Sequence, residues 1–329
     1  AKEVPETMVL SPTLVDADGN IVIIDNGILS VYHYATMELL WQAPYEGEEY
    51  SVSRNTAPSI LAFVTKAEDR FILHRVDTQA KKLESYPLSA QQSGPFYTVR
   101  NGAAELCTGT YSLPEKPQGP IHFVQDGIVY QNQQGAVRKY AHDLGNAYTF
   151  SFPQPVSDVY HAVSSDTMDY IIHSAGTDDS RMICVSGFAK NNEHRFTTAL
   201  YSPAQVQAAL CEALPLEDQL IIAFPSRLIS GSFESMLWIS TQGEIIRRQP
   251  IEEKNCSLRL RNDGKTDNLY VFLNTAGNAA LSLKVYNPQG EIIHRQATER
   301  LYPFIDYFCI QDTWYIWNEG KTGLVPLFH

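Results

Sequence analysis

The sequence predicts an all-β fold, and three observations carry that prediction. Apolar runs are short, 4 to 7 residues, and rich in Val, Ile, Tyr and Phe. Turn signals such as Asp18-Gly19-Asn20 and Asn262-Asp263-Gly264 break them up. A strand–turn–strand pattern returns with a period near 47, and the 329 residues hold seven such steps. Four short strands per period is the pattern of a propeller blade. The expectation is a seven-bladed β-propeller with four-stranded antiparallel blades, one domain over 1–329. Two separate β-sandwiches are the rival arrangement.

The period is plainest in the last third. "LWISTQGEIIRRQ" (Leu237 to Gln249) and "LKVYNPQGEIIHRQ" (Leu283 to Gln296) share QGEII, and Gln242 to Gln289 is a step of 47. Each is followed by an aromatic run, "NLYVFL" and "TWYIWN". Looser copies upstream end at Trp41, Tyr86, Phe150 and Phe196, at spacings of 45, 64 and 46. The long step contains "LPEKPQGP" (Leu113 to Pro120), which reads as a loop. Six units are visible, and a seventh can be assembled after Gln296. A lone sheet of this kind cannot bury both faces, and stacking its neighbours in a ring would do so. The terminal runs "TMVLSP" (Thr7 to Pro12) and "GLVPLF" (Gly323 to Phe328) are both strand-like. They are expected to share one blade and close the ring.

One stretch departs from the pattern. "SPAQVQAALCEAL" (Ser202 to Leu214) predicts a short helix, with Ser202 as N-cap, Pro203 in the first turn, and Val206, Leu210 and Leu214 on one face. That face would pack on a blade or form a partner-binding lid.

"LSVYHYATMELLW" (Leu29 to Trp41) resembles the repeat of pyrroloquinoline-quinone-type propellers, A-x-D-x-x-T-G-K-x-x-W. Thr36 and Trp41 match, while His33, Met37 and Glu38 take the Asp, Gly and Lys positions. The resemblance implies a propeller of this broad type and not the cofactor, since the chain has no Cys-Cys pair. It makes Trp41 an aromatic plug between blades, with Thr36 bonding inside the turn.

Composition narrows the function classes. Hydrophobic residues make up 44% and charged residues 19%, enough for a large core. The net charge of −12 disfavours nucleic acid and anionic membranes. No apolar run approaches the roughly 18 residues of a membrane helix. No basic, apolar leader precedes Glu3 and Glu6, and a start at Ala1 fits either a trimmed initiator Met or a cleaved export signal. Cys107, Cys184, Cys211, Cys256 and Cys309 are odd in number and far apart. They read as buried free thiols, which leans towards a reducing, cytoplasmic compartment.

No phosphate loop, GxSxG, HExxH or EF-hand pattern occurs. "GTDDS" and "NDGKTDN" are conceivable calcium loops but read as hairpin turns in which Asp and Asn meet local backbone donors. The expectation is therefore no cofactor, with calcium the conceivable exception. His161 and His173 lie in adjacent strand-like runs, and the nine histidines sit at differing positions within their units. No converging metal site is expected from them. The remaining signal is basic. Arg247, Arg248, Arg295 and His294 follow QGEII at equivalent positions, and Arg259 and Arg261 alternate on "LRLR". Arg247, Arg248, Arg259, Arg261 and Arg295 are the candidate binding residues, for an acidic protein partner or an anionic ligand. Outer-strand charge that keeps sheet edges apart is the competing account. The functional expectation is a non-enzymatic scaffold binding a protein partner or small ligand on a loop face or channel mouth. The alternative is a metal-dependent propeller hydrolase or lyase.

Overall fold

A computed structural model describes most of residues 13–53, 61–88, 97–106, 115–263, 266–275, 280–298, 306–318 and 321–326, with short gaps inside these ranges. The described chain is almost entirely β. Six four-stranded sheets follow one another, each with its strands in chain order. Sheet 1 is β1–β4 (Thr13–Val15, Ile21–Asp25, Ile28–Tyr32, Leu39–Pro44) and sheet 2 is β5–β8 (Glu48–Ser53, Leu61–Ala67, Arg70–Asp77, Lys82–Leu88). A separate hairpin, β9–β10 (Tyr97–Arg100, Ala103–Leu106), lies in the long step between repeats. Sheet 3 is β11–β14 (His122–Val124, Gly127–Gln131, Val137–Tyr140, Ala147–Thr149). Sheet 4 is β15–β18 (Val156–Ser164, Met168–Ala175, Met182–Ala189, His194–Tyr201). Sheet 5 is β19–β22 (Glu212–Pro215, Gln219–Ala223, Met236–Ser240, Ile245–Gln249). Sheet 6 is β23–β26 (Cys256–Arg261, Leu269–Thr275, Ala280–Tyr286, Ile292–Thr298). A final three-stranded sheet, sheet 7, is β27–β29 (Asp306–Ile310, Thr313–Asn318, Lys321–Pro326). Every strand pairing is antiparallel, so each four-stranded sheet has the up-and-down form of a propeller blade.

The hairpins between third and fourth strands explain the sequence period. In sheet 5, Ser240 N–H donates to the Glu244 carbonyl and Gly243 N–H to the Ser240 carbonyl; in sheet 6, Asn287, Glu291 and Gly290 repeat that arrangement. Sheet 4 uses Ala189, Glu193 and Asn192 in the same way. Each turn needs one left-handed residue, supplied by Asn192 (φ 65°), Gly243 (φ 84°) and Gly290 (φ 72°). Sheets 1 and 3 use a turn one residue longer, closed by His33 N–H to the Glu38 carbonyl and by Ala141 N–H to the Asn146 carbonyl. Thr36 does bond within its turn: its N–H reaches His33 Nδ1 at 3.2 Å, and its Oγ1 accepts from Glu38 N–H at 3.4 Å.

Burial falls across each sheet in a fixed order. β16 is buried at every position and β17 at all but its ends, whereas β14 is exposed throughout and β22 and β4 alternate. The fourth strands β4, β14 and β22 are thus the wetter edge of their sheets, and β22 carries Arg247 and Arg248.

The chain forms two compact units. One comprises 1–91, 99–103 and 258–329. In it, Phe63 and Val76 of sheet 2 pack with Val22, Ile24, Leu29 and Val31 of sheet 1, and Trp41 lies half-buried against that cluster. Trp314 of sheet 7 stacks on Phe272 and Tyr270 of sheet 6 at 4.9 and 4.7 Å. The other unit comprises 92–98 and 104–257. Here sheets 3, 4 and 5 stack in series. Val124, Val129 and Phe150 meet Ile171 and Phe188, and on the other face of sheet 4 Tyr170, Ile172 and Val185 meet Leu220, Ile222 and Leu237. β15 touches both β11 and β19, so the first strands of successive sheets adjoin.

The predicted helix over 202–214 shrinks to a single 3-10 turn at Ala208–Leu210. Leu214 belongs to β19, where Glu212 to Pro215 pair with β20 and are buried. Val206 forms a bridge with Ser226, leaving Leu210 facing solvent at 48% exposure. The spacing of four was coincidental: two of its three apolar residues are held by β partners.

Candidate functional site

Up-and-down topology sorts the loops. Those entering the first strand and joining the second to the third lie at one end of a sheet; the others lie at the opposite end. At that first end of sheet 5, residues 202–211 lead into β19 and 224–235 join β20 to β21. The two loops are zipped together. Arg227 N–H donates to the Gln205 carbonyl at 2.8 Å, Gln207 N–H to the Pro225 carbonyl at 2.9 Å, and Gln207 Nε2 to the Ser226 carbonyl at 3.2 Å. Ser226 Oγ accepts from Leu228 and Ile229 N–H at 3.2 and 3.3 Å, which fixes the loop tip.

Against the zipped loops opens a pocket of about 500 Å³. That size is right for a few side chains or a small ligand. Tyr160 of β15 and Ile183 of β17 form its wall, Val206, Ala208 and Leu210 its apolar lining, and Arg227 its rim. Outside it, Leu228 and Ile229 stand 69% and 56% exposed, next in the chain after Arg227. A loop that displays Leu and Ile rather than Gly, Ser or Asp raises surface apolarity without any folding gain. Composition did not single out this loop. The signal was "RLIS", an apolar pair inside a stretch otherwise full of Ser and Gly.

The five arginines fall on three strands, β22, β23 and β26. Arg247 and Arg248 lie on β22, in the unit that includes 104–257. Arg247 sits over the Trp238 ring, 5.7 Å from its centroid. Arg248 is exposed and interacts with Tyr201. Arg259, Arg261 and Arg295 lie in the other unit. There Arg259 and Arg261 are on the first strand of sheet 6 and Arg295 on the fourth, at opposite edges of one sheet. Arg259 is buried at 8% exposure, and Arg261 donates to the Leu260 carbonyl at 2.7 Å. Repeat-equivalent Arg248 and Arg295 remain the exposed pair.

Other candidates resolve into structure. Asp263 accepts from Thr266 N–H at 2.8 Å and from Tyr270 Oη at 2.9 Å, the local bonding of a hairpin turn. In the "GTDDS" run, Ser180 N–H reaches the Thr177 carbonyl. Cys184, Cys211 and Cys256 are free thiols; burial pushes the Cys184 and Cys211 thiols up, which suppresses the reactive thiolate. Cys107 lies outside the described residues. His74 and His173 serve hydroxyl chains within their sheets. His74 Nε2 lies 2.8 Å from Thr65 Oγ1 and its Nδ1 2.9 Å from Ser85 Oγ; His173 Nε2 lies 2.8 Å from Ser186 Oγ, which meets Thr197 Oγ1 at 2.7 Å. Burial lowers both imidazoles to about 4. Sequence reading also missed Asp169, fully buried on β16. It accepts from Lys139 at 2.5 Å, Lys190 at 2.7 Å and Ser164 at 2.6 Å, tying sheet 3 to sheet 4.

The fold and this loop end define an all-β protein of serial four-stranded sheets with a small-ligand or peptide-sized pocket. No protein-family model matches the chain, and neither does any curated protein. Among solved structures it is similar to BamB from Moraxella catarrhalis, at 13% identity and TM-score 0.38, over 96% of this chain and 95% of that one. It is similar to a chain of the mitotic checkpoint complex, at 10% identity and TM-score 0.47, over 100% and 99%. It is also similar to Kuenenia stuttgartiensis hydrazine synthase, at 11% identity and TM-score 0.47, over 99% and 97%. All three scores lie below 0.5, and it is the serial antiparallel sheets that carry the architecture. Among the described residues, no helix is long and apolar enough to cross a membrane.

Proposed function

We propose that the chain is a β-propeller scaffold that binds a protein partner at the loop end carrying the Arg227 pocket. The partner is an extended segment presenting an apolar side chain beside a carboxylate. One observation carries the reading: Leu210 lines an apolar pocket whose rim bears Arg227, and the exposed Leu228 and Ile229 follow that arginine in the chain. The apolar side chain fills the space between Tyr160 and Val206, and the carboxylate pairs with the guanidinium. The six complete sheets and the three-stranded seventh support seven blades. Sheet 7 offers an edge at β29 for a fourth strand, and Thr7 to Pro12, which lie outside the described residues, are the proposed donor. The exposed Arg248 and Arg295 are proposed to steer an acidic partner towards the outer edge, a rate effect that salt screens.

The test is selection from a displayed peptide library on the immobilised full chain. Enriched peptides should share apolar and acidic residues and lose at least tenfold in affinity for Arg227→Glu and for Leu228→Asp. Peptides of no common chemistry, or equal binding to both variants, would remove the proposal.

A further inference from the structure

We propose that His122 and His161 form a two-imidazole site for a divalent transition metal of the Zn2+ or Cu2+ class, with the remaining coordination positions open to water or a ligand. The inference is independent of the docking pocket. His122 is the first residue of β11 and His161 lies in the middle of β15. These are the first strands of sheets 3 and 4, and they touch. The two rings stand 5.4 Å apart, centroid to centroid, with their planes at 74°.

That spacing is the first argument. With a metal–nitrogen bond of about 2.1 Å and a tetrahedral angle, two imidazole centroids fall roughly 5.3 Å apart. Edge-to-face packing alone gives similar spacings, as at Phe188 and His194, 5.3 Å apart at 69°, so the spacing permits a shared metal.

The second argument is an unpaired atom. His122 is 5% exposed, and its buried Nε2 has no hydrogen-bond partner. Buried polar atoms are nearly always paired, because leaving one unpaired costs about 1–3 kcal/mol. His74 has hydroxyls on both ring nitrogens, and His173 has one on Nε2 with its buried Nδ1 unpaired; no hydroxyl meets the Nε2 of His122.

Imidazole suits borderline metals such as zinc, copper and nickel, whereas calcium takes oxygen ligands. Among the described residues, no third His, Cys, Asp or Glu joins the pair. Because the Nε2 of His122 is buried, water or a ligand donor would have to enter with the metal to fill the remaining positions.

The experiment uses the full chain without a purification tag, stripped by chelator. Zn2+ uptake is read by competition with a chromogenic indicator, and Cu2+ by electron paramagnetic resonance. The parent should take up one equivalent of Zn2+, with Ca2+ failing to compete. His122→Ala and His161→Ala should each weaken binding at least tenfold, while exposed His294→Ala leaves it unchanged. The copper spectrum of the parent should show two imidazole nitrogens, a readout that stands even if a variant fails to fold. No Zn2+ uptake by the parent, binding unchanged in both site variants, or a copper spectrum without two imidazole nitrogens would overturn the proposal.

Discussion

Asp169 interrupts the apolar run "MDYIIHSA", and in β16 it is buried with its neighbours. Two lysines and a serine satisfy it, and one of those lysines, Lys139, is only 3% exposed. Removing the carboxylate strands a buried ammonium. Asp169→Ala should cost about 3–5 kcal/mol in denaturant unfolding, far more than the loss of a surface pair; a change under about 1 kcal/mol would mean that water reaches Lys139. The buried histidines make a second residue-scale prediction. His74 and His173 have an ordinary value of 6.5 and are held at about 4 in the fold. Between those limits the unfolded chain binds protons that the fold refuses, so stability falls as pH falls, by about 1.4 kcal/mol per pH unit for each imidazole. Above 6.5 this contribution is level. His173→Gln should flatten the slope of unfolding free energy between pH 6.5 and 4 relative to the parent; equal slopes would place the proton uptake elsewhere. Trp41 was legible from its repeat position. It packs against the sheet 1 and sheet 2 cluster, so Trp41→Ala should lower stability by about 3 kcal/mol. The Lys139–Asp169 and His122–His161 contacts were not legible, because they join residues 30 and 39 apart that only sheet stacking brings together.

At the scale of elements, the hairpin was the readable unit. QGEII marks the turn between third and fourth strands, where the left-handed residue and the returning strand are local requirements. Gly243 has a further reason to be glycine: an added Cβ would lie 2.5 Å from the Phe196 ring of the preceding sheet. Gly243→Ala should therefore cost more than about 1 kcal/mol in thermal or denaturant unfolding, from backbone strain and the clash together. Gly119→Ala, where a Cβ meets nothing within 4 Å, is the matched control and should be near neutral. Comparable losses at both sites would contradict the packing described for Phe196. The 202–214 stretch failed as a helix for the complementary reason. Its periodicity was local, but the Val206–Ser226 bridge and the β19–β20 pairing are not, and they decided its conformation.

For the whole molecule, the period made the succession of antiparallel sheets legible and left the way they meet open. Among the described residues there are six four-stranded sheets and one of three strands, with β9–β10 inside the step of 64. The arginine alignment shows the limit of repeat arithmetic. Equivalent positions in successive units placed Arg248 and Arg295 alike, but "LRLR" belongs to a first strand, so Arg259 and Arg261 lie at the opposite edge of their sheet from Arg295. Ring closure is the central claim, because a rigid platform for a partner depends on it. The direct measurement is thermal unfolding and size-exclusion elution of a variant lacking residues 1–12, beside the full chain. If those residues complete sheet 7, the truncation leaves β29 as an open edge, and the variant should melt well below the full chain or aggregate. A truncated chain that melts and elutes as the full chain does would contradict closure by the N-terminal strand.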